Sequence, residues 1–162
     1  GRKFVTKKIT TALSKIKLGR LDCLRLGNID SKRDWGFAGD YVEAIHKILQ
    51  QKRPSDFVIS TGKTHTVRKF VETSARLLGM KIQWRGRKLN ERGIDKKTGK
   101  TIIKIDKRFF RPAEVDVLHG DYSRARKILK WEPKTSFNEL VEMMTISDYN
   151  EQKKISNNLN NS

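Results

Sequence analysis

The stretch "DFVISTGKTHTVRKFVETSARLLG", Asp56 to Gly79, decides the fold class. It opens with an apolar run closed by a glycine turn at Gly62, the pattern of a strand buried on both faces. Thr66 then stands where a helix N-cap belongs. Val67, Phe70, Val71, Ala75 and Leu78 line one side of the helix that follows, and Gly79 stops it. A strand, a turn and a helix in immediate succession predict an α/β fold.

Upstream, Asp40 is the expected N-cap of a helix whose apolar stripe is Tyr41, Val42, Ile45, Ile48 and Leu49, with Pro54 in the loop behind it. "CLRLGN", from Cys23, reads as a short strand. Before it, Val5, Ile9, Ala12, Leu13 and Ile16 mark one buried helical face, with Gly19 placed to end that helix. Downstream, "KIQW" and "TIIKID" alternate like strands around a polar loop holding "KKTGK". "SRARKIL" reads as a short helix, and Ser136 with Glu139 forms a capping box opening a last one. From residue 150 the chain turns to Asn, Ser and Lys, a composition expected to stay disordered. The expected organisation is therefore one unit over 1–149 and a polar tail over 150–162.

The 162 residues suffice for one domain. Lys and Arg total 36 against 18 Asp and Glu, a formal charge of +18 that attracts polyanions. The basic residues are interspersed with carboxylates. No long basic block and no basic–aromatic strip of an RNA-recognition strand stands out, so no specific nucleic-acid partner is expected. A single cysteine, Cys23, excludes an internal disulfide, and the three histidines lie far apart, so no metal site is expected. No apolar run reaches membrane-spanning length and no signal-peptide core is visible, which points to a cytoplasmic protein without a membrane partner.

Two arginine motifs have the chemistry to bind an anion, and for Arg33 a solvated surface charge is the plainer alternative. In "RFFRPAEV", Arg108 to Val115, Pro112 biases Arg111 towards an extended backbone, and a planar guanidinium held there suits a phosphate's paired oxygens. Glu114 has the chemistry to accept from a sugar hydroxyl. A surface ion pair between Arg111 and Glu114 is the plainer alternative. In "RDWG", Asp34 is placed to orient Arg33 and Gly36 permits a tight turn, while Trp35 reads as a core anchor. Lys7 and Lys8 fall on the polar side of the first helix, either solvated or aimed at a phosphate. Tyr149 and Lys153 spell Tyr-x-x-x-Lys, a dehydrogenase spacing, but at the polar end of the chain and with no cofactor loop before them. Eleven glycines are present, and none forms G-x-G-x-x-G after a strand. No phosphate-binding loop, Ser-His-Asp pattern or metal cluster appears either, so no catalytic residue is assigned.

Taken together, "FVTKKIT", "LGNIDSKRDWGFAGDYVEA", "DFVISTG", "RFFRPAEVD" and "KILKWEP…ELVEMM" resemble, in that order, the GDP-mannose 4,6-dehydratases of the extended short-chain dehydrogenase/reductase family. The resemblance runs from Gly1 to about Asp148 and is to the C-terminal portion of such enzymes. It implies the last Rossmann strands and helices plus the substrate-binding subdomain. It implies a lyase that dehydrates GDP-mannose to GDP-4-keto-6-deoxy-mannose on the way to GDP-fucose, with NADP taking hydride from C4 and returning it to C6. The family's cofactor loop, its Thr and Glu catalytic residues and its Tyr-x-x-x-Lys pair belong to the N-terminal portion, so this chain alone is expected to be inactive. The same resemblance implies Val5, Lys8, Arg33, Arg111 and Glu114 as contacts to GDP-mannose, and a homo-oligomer, dimer or tetramer, for the complete enzyme. Two other readings stand beside it: a basic nucleic-acid binder and a non-catalytic GDP-sugar-binding module.

Overall fold

The computed structural model describes residues 5–110 and 119–162. Helix α1, Val5–Lys17, buries Ile9, Ala12 and Leu13 and ends as the sequence predicts, with Gly19 at φ +73° and the Arg20 amide donating to the Lys15 carbonyl. It packs beside α3, Val67–Leu77, and α4, Phe137–Asn160. Thr66 caps α3 by accepting from the Lys69 amide, and Ser136 caps α4 by accepting from Glu139.

These helices share a core with a four-stranded sheet ordered β1-β6-β5-β4, whose strands are β1 (Leu24–Leu26), β4 (Ile82–Arg85), β5 (Arg92–Asp95) and β6 (Thr101–Ile105). β1 and β6 run parallel, and the other pairs run antiparallel. Strand β5 lies in what the sequence reads as loop. Its four residues are too short to display an alternation, and Gly93 contributes no side chain; a Cβ there would meet Ile103 at 2.9 Å. A two-residue ribbon, β2 (Lys32–Arg33) against β3 (His65–Thr66), stands beside this core.

Three expectations about α2 and the segment behind it are corrected. Asp40 is not the N-cap of α2, Ala38–Leu49; Phe37 occupies that position. The Asp40 carboxylate is instead buried and accepts from the amides of Lys134 and Thr135, which holds α2 to the "WEPKT" segment. Second, Val42, Ile45 and Leu49 do not enter a core: they are 64%, 54% and 78% exposed. Third, residues 56–62 form no strand and no ladder with any described strand. Phe57 and Ile59 pack with Ala44, Ala125, Leu129 and Trp131, whereas Val58 is half exposed. A strand of the doubly buried type needs neighbours on two edges and two faces, and here it has packing on one side.

The polar end of the chain is helical through Asn160. Composition misleads because the anchoring is polar. Gln152 is buried, and Arg20 donates to its carbonyl at 3.1 Å, to its side-chain oxygen at 3.0 Å and to Ser156 at 3.2 Å. Further along the seam, buried Asp148 accepts from Thr10 and Lys7, and Ser74 and Thr145 share a hydrogen bond of 2.8 Å. Lys7 is thus a tie between α1 and α4, its pKa raised chiefly by the hydrogen bond to Asp148.

Candidate ligand-binding site

Of the five positions singled out in the sequence, Val5, Lys8 and Arg33 lie among the described residues, while Arg111 and Glu114 lie outside them. Val5 opens α1 and packs partly buried against the main core. Lys8, one turn further on, is half-buried, with its Nζ 4.0 Å from the centre of the Phe109 ring. Loss of hydration pushes its pKa down, and the charge of Asp106 partly offsets this. The reason Phe109 stands there is local. Asp106 caps a single 3₁₀ turn, Lys107–Phe109, by accepting from the Arg108 amide at 2.9 Å and from the Arg108 guanidinium at 2.8 Å. Those bonds from Arg108 hold the Asp106 pKa down at about 2. Asp106 and Phe109 are the members of this cluster that sequence reading missed. The available signal was Asp followed two residues later by Arg, the spacing of a side-chain cap.

The turn is also pressed against the end of β1. A Cβ on Gly27 would fall 2.0 Å from the Phe109 carbonyl oxygen, so only glycine lets the two backbones approach this closely. Lys8, the loop after β1 and the segment leading into Arg111 therefore meet at one place.

Arg33 sits on β2 directly opposite His65. Its guanidinium donates to the Ser31 hydroxyl at 2.7 Å and to the Lys32 carbonyl at 2.8 Å. Asp34 has a different task from the one the sequence suggests. Its carboxylate accepts from the Thr61 hydroxyl at 2.5 Å, the Thr61 amide at 3.2 Å and the Gly62 amide at 3.0 Å. The "RDWG" turn is thereby fastened to the "STG" turn, where Gly62 has φ +73°. Trp35 is the core anchor its size predicts, edge-on to Phe70 at 5.2 Å and stacked towards Phe137 at 6.1 Å. Tyr149 likewise packs against the main core, and Lys153 is exposed, so Tyr-x-x-x-Lys here is a spacing without a site.

Beside the ribbon lies a cleft of about 480 Å³, lined by Trp35, Lys63, His65, Lys69, Tyr122 and Lys134 among others. His65 stacks on Phe137 at 3.8 Å. Burial pushes its pKa down, and the charges of Lys69 and Lys63 add to that against an opposing effect of Asp34. Among the described residues no group of acidic, histidine or cysteine side chains could hold a metal ion, and no helix is long and apolar enough to cross a membrane.

The architecture is shared with solved proteins. RMD from Pseudomonas aeruginosa complexed with NADPH superposes with a TM-score of 0.72 at 18% identity, covering 94% of this chain and 44% of that one. The dTDP-glucose 4,6-dehydratase of Bacillus anthracis in complex with NAD gives 0.63 at 20% identity, covering 90% and 40%. The α/β fold is thus shared with about two fifths of each of those chains. By sequence, the GDP-mannose 4,6 dehydratase of Dictyostelium discoideum is 52% identical over 148 residues, which are 91% of this chain and 42% of that relative. The Homo sapiens protein of the same name is 49% identical, over 91% and 40%. The chain spans about two fifths of the length of these relatives. A family model described as GDP-mannose 4,6 dehydratase matches residues 1–144, more than half of the chain, and the chain belongs to that family.

Proposed function

We propose that this chain is the substrate-binding portion of a GDP-mannose 4,6-dehydratase, the NADP-dependent lyase that forms GDP-4-keto-6-deoxy-mannose. The observation that carries the reading is the identity of about half of all residues to GDP-mannose 4,6 dehydratases over 91% of the chain. Val5, Lys8, Arg33, Arg111 and Glu114 contact the nucleotide sugar. Lys8, Arg33 and Arg111 compensate the diphosphate charge, and Glu114 accepts from a hydroxyl. The setting of Lys8 supports its role. A partly dehydrated ammonium gains more from an anion than a fully hydrated one does, and Asp106, the carboxylate whose charge acts on it, is already engaged by Arg108.

NADP supplies the hydride acceptor and donor of this chemistry. The residues of this chain do not fit its site: no G-x-G-x-x-G follows a strand, and α2, α3 and α4 open on Phe37, Thr66 and Ser136 rather than on a glycine-rich turn. The cofactor and the proton-transfer groups belong to the remainder of the enzyme, and the complete enzyme acts as a homo-oligomer on GDP-mannose.

Titration calorimetry with GDP tests the reading. A charge-assisted hydrogen bond contributes about 1.5–3 kcal/mol, so Arg111→Ala weakens GDP binding roughly tenfold or more. Equal affinity of both proteins for GDP removes the pocket. The isolated chain shows no turnover of GDP-mannose, and robust dehydration by it overturns that part of the proposal.

A further inference from the structure

Four cations stand in one line across the outer face of the sheet. Arg25 on β1 lies opposite Lys104 on β6, Lys104 lies opposite Arg92 on β5, and Arg92 lies opposite Arg85 on β4. Residues directly opposite across a ladder project from the same face. All four are exposed, while Leu24, Leu26, Gly93 and Ile103 beside them are buried on the core side. With adjacent strands about 4.8 Å apart, the line is about 14 Å long. It contains no carboxylate. Asp106, whose charge Arg25 feels, is already bound by Arg108. Arg87 and Lys88, both exposed, extend the positive surface into the turn between β4 and β5.

Like charges placed directly opposite one another destabilise a sheet, so this row contributes nothing to the fold that would account for it. We infer that the outer face of the sheet binds the phosphodiester backbone of single-stranded nucleic acid without reading its sequence. The shape of the site favours this partner. The cations form a line rather than a patch, which suits a linear polyanion, and three of the four are arginines, whose forked donors match phosphate oxygens in pairs. Trp84, the aromatic residue of these strands, is turned away from this face towards the core and lies under the Arg68 guanidinium. The face thus offers charge without a stacking platform, which gives phosphate contact and no base preference. This function is separate from the dehydratase reading and does not depend on it.

Fluorescence anisotropy of the full chain with a labelled mixed-sequence single-stranded RNA, titrated at increasing salt, tests it. Each neutralised phosphate on a single strand steepens the dependence of log Kd on log salt by about 0.7. The quadruple variant R25Q/R85Q/R92Q/K104Q flattens that slope by about 2–3 and weakens binding at least roughly tenfold at low salt. The control K52Q/R53Q/K153Q/K154Q removes the same charge from exposed positions elsewhere and leaves the slope within about one contact of the parent. The pair R92Q/K104Q, checked for an unchanged melting transition, gives the graded intermediate slope. Equal losses in the row variant and the control reduce the effect to net charge and overturn the site. Tighter binding to phosphatidylserine vesicles or to polyglutamate than to RNA, or strong discrimination between RNA sequences, also overturns it.

Discussion

The described residues form two apolar clusters, and they differ in completeness. The larger one, built from α1, α3, α4 and the four-stranded sheet, closes on itself. Ile9, Leu13, Phe70, Val71, Ile103 and Val141 have no accessible surface, and its polar seams are paired through Asp148, Thr145 and Gln152. The smaller one, around Ala44, Ala125, Leu129 and Trp131, is half a core. α2 turns Val42, Ile45 and Leu49 outward, and Val58 is exposed on a segment with no ladder. A helix stripe and a strand-like run are written in the sequence for burial that the described residues do not supply. The first cluster therefore sets the stability of this polypeptide, and the second contributes little of it.

That contrast is open to measurement. Phe70 sits at the centre of the closed cluster, edge-on to Trp35 at 5.2 Å and to Phe137 at 6.1 Å. Phe70→Ala costs about 3–5 kcal/mol in urea unfolding, while Leu49→Ala, at a position 78% exposed, stays within about 0.5 kcal/mol. A comparable loss from both would mean that the second cluster is closed too. The next effect in size belongs to the seam between α1 and α4. Asp148 is buried and accepts from Thr10 and Lys7. Asp148→Asn keeps the shape but trades a charged acceptor for an amide that brings its own donors, at a cost of about 1–3 kcal/mol. Amide hydrogen exchange then speeds up first over residues 150–160, whose helix is held beyond this seam by Arg20 and Gln152. Unchanged exchange there would show that the end of α4 does not depend on the seam.

How much of this the sequence discloses depends on where the controlling interaction lies. α1, α3 and the start of α4 were legible because caps and apolar periodicity are local: Thr66 and Ser136 act within three residues of themselves. Asp40 looked like a third cap and is not one, because amides more than ninety positions away compete for its carboxylate. The end of α4 looked unstructured because it is held by polar contacts to Arg20, and composition records only apolar anchoring. The stripe of α2 was read correctly as apolar, but which surface covers it is not a local property. Of the candidate site, Lys8 and Arg33 stand out by their charge, and the resemblance alone assigns them to a nucleotide sugar. Their neighbours Asp106, Phe109 and His65 come from other parts of the chain; the Asp106 cap has a local signal, but its place beside Lys8 is set by folding. The cation row is the extreme case. Arg25, Arg85, Arg92 and Lys104 form no run in the sequence and are aligned only by strand register.

The smallest effect belongs to His65, which sits where the two clusters join. Its ring stacks on Phe137 at the edge of the closed cluster, and Asp34, which fastens the neighbouring turn through Thr61 and Gly62, leads towards the open one. Burial first, then the charges of Lys69 and Lys63, lower its pKa from 6.5, with Asp34 acting in the opposite sense. The folded chain thus takes up this proton less readily than the unfolded one. Above pH 6.5 the imidazole is neutral in both states and its contribution to stability is complete. As the pH falls through 6.5 the unfolded state is protonated preferentially, and stability declines until the folded ring titrates as well. In urea unfolding between pH 7.5 and 5.5, the parent loses more stability than His65→Gln does, and the ring protons titrate in proton NMR with a midpoint below 6.5. A midpoint at or above 6.5 would place the ring in water and detach the β2–β3 ribbon from Phe137. Arg33, opposite His65 on the same ribbon, would then lose the rigid support that its proposed role towards a diphosphate requires.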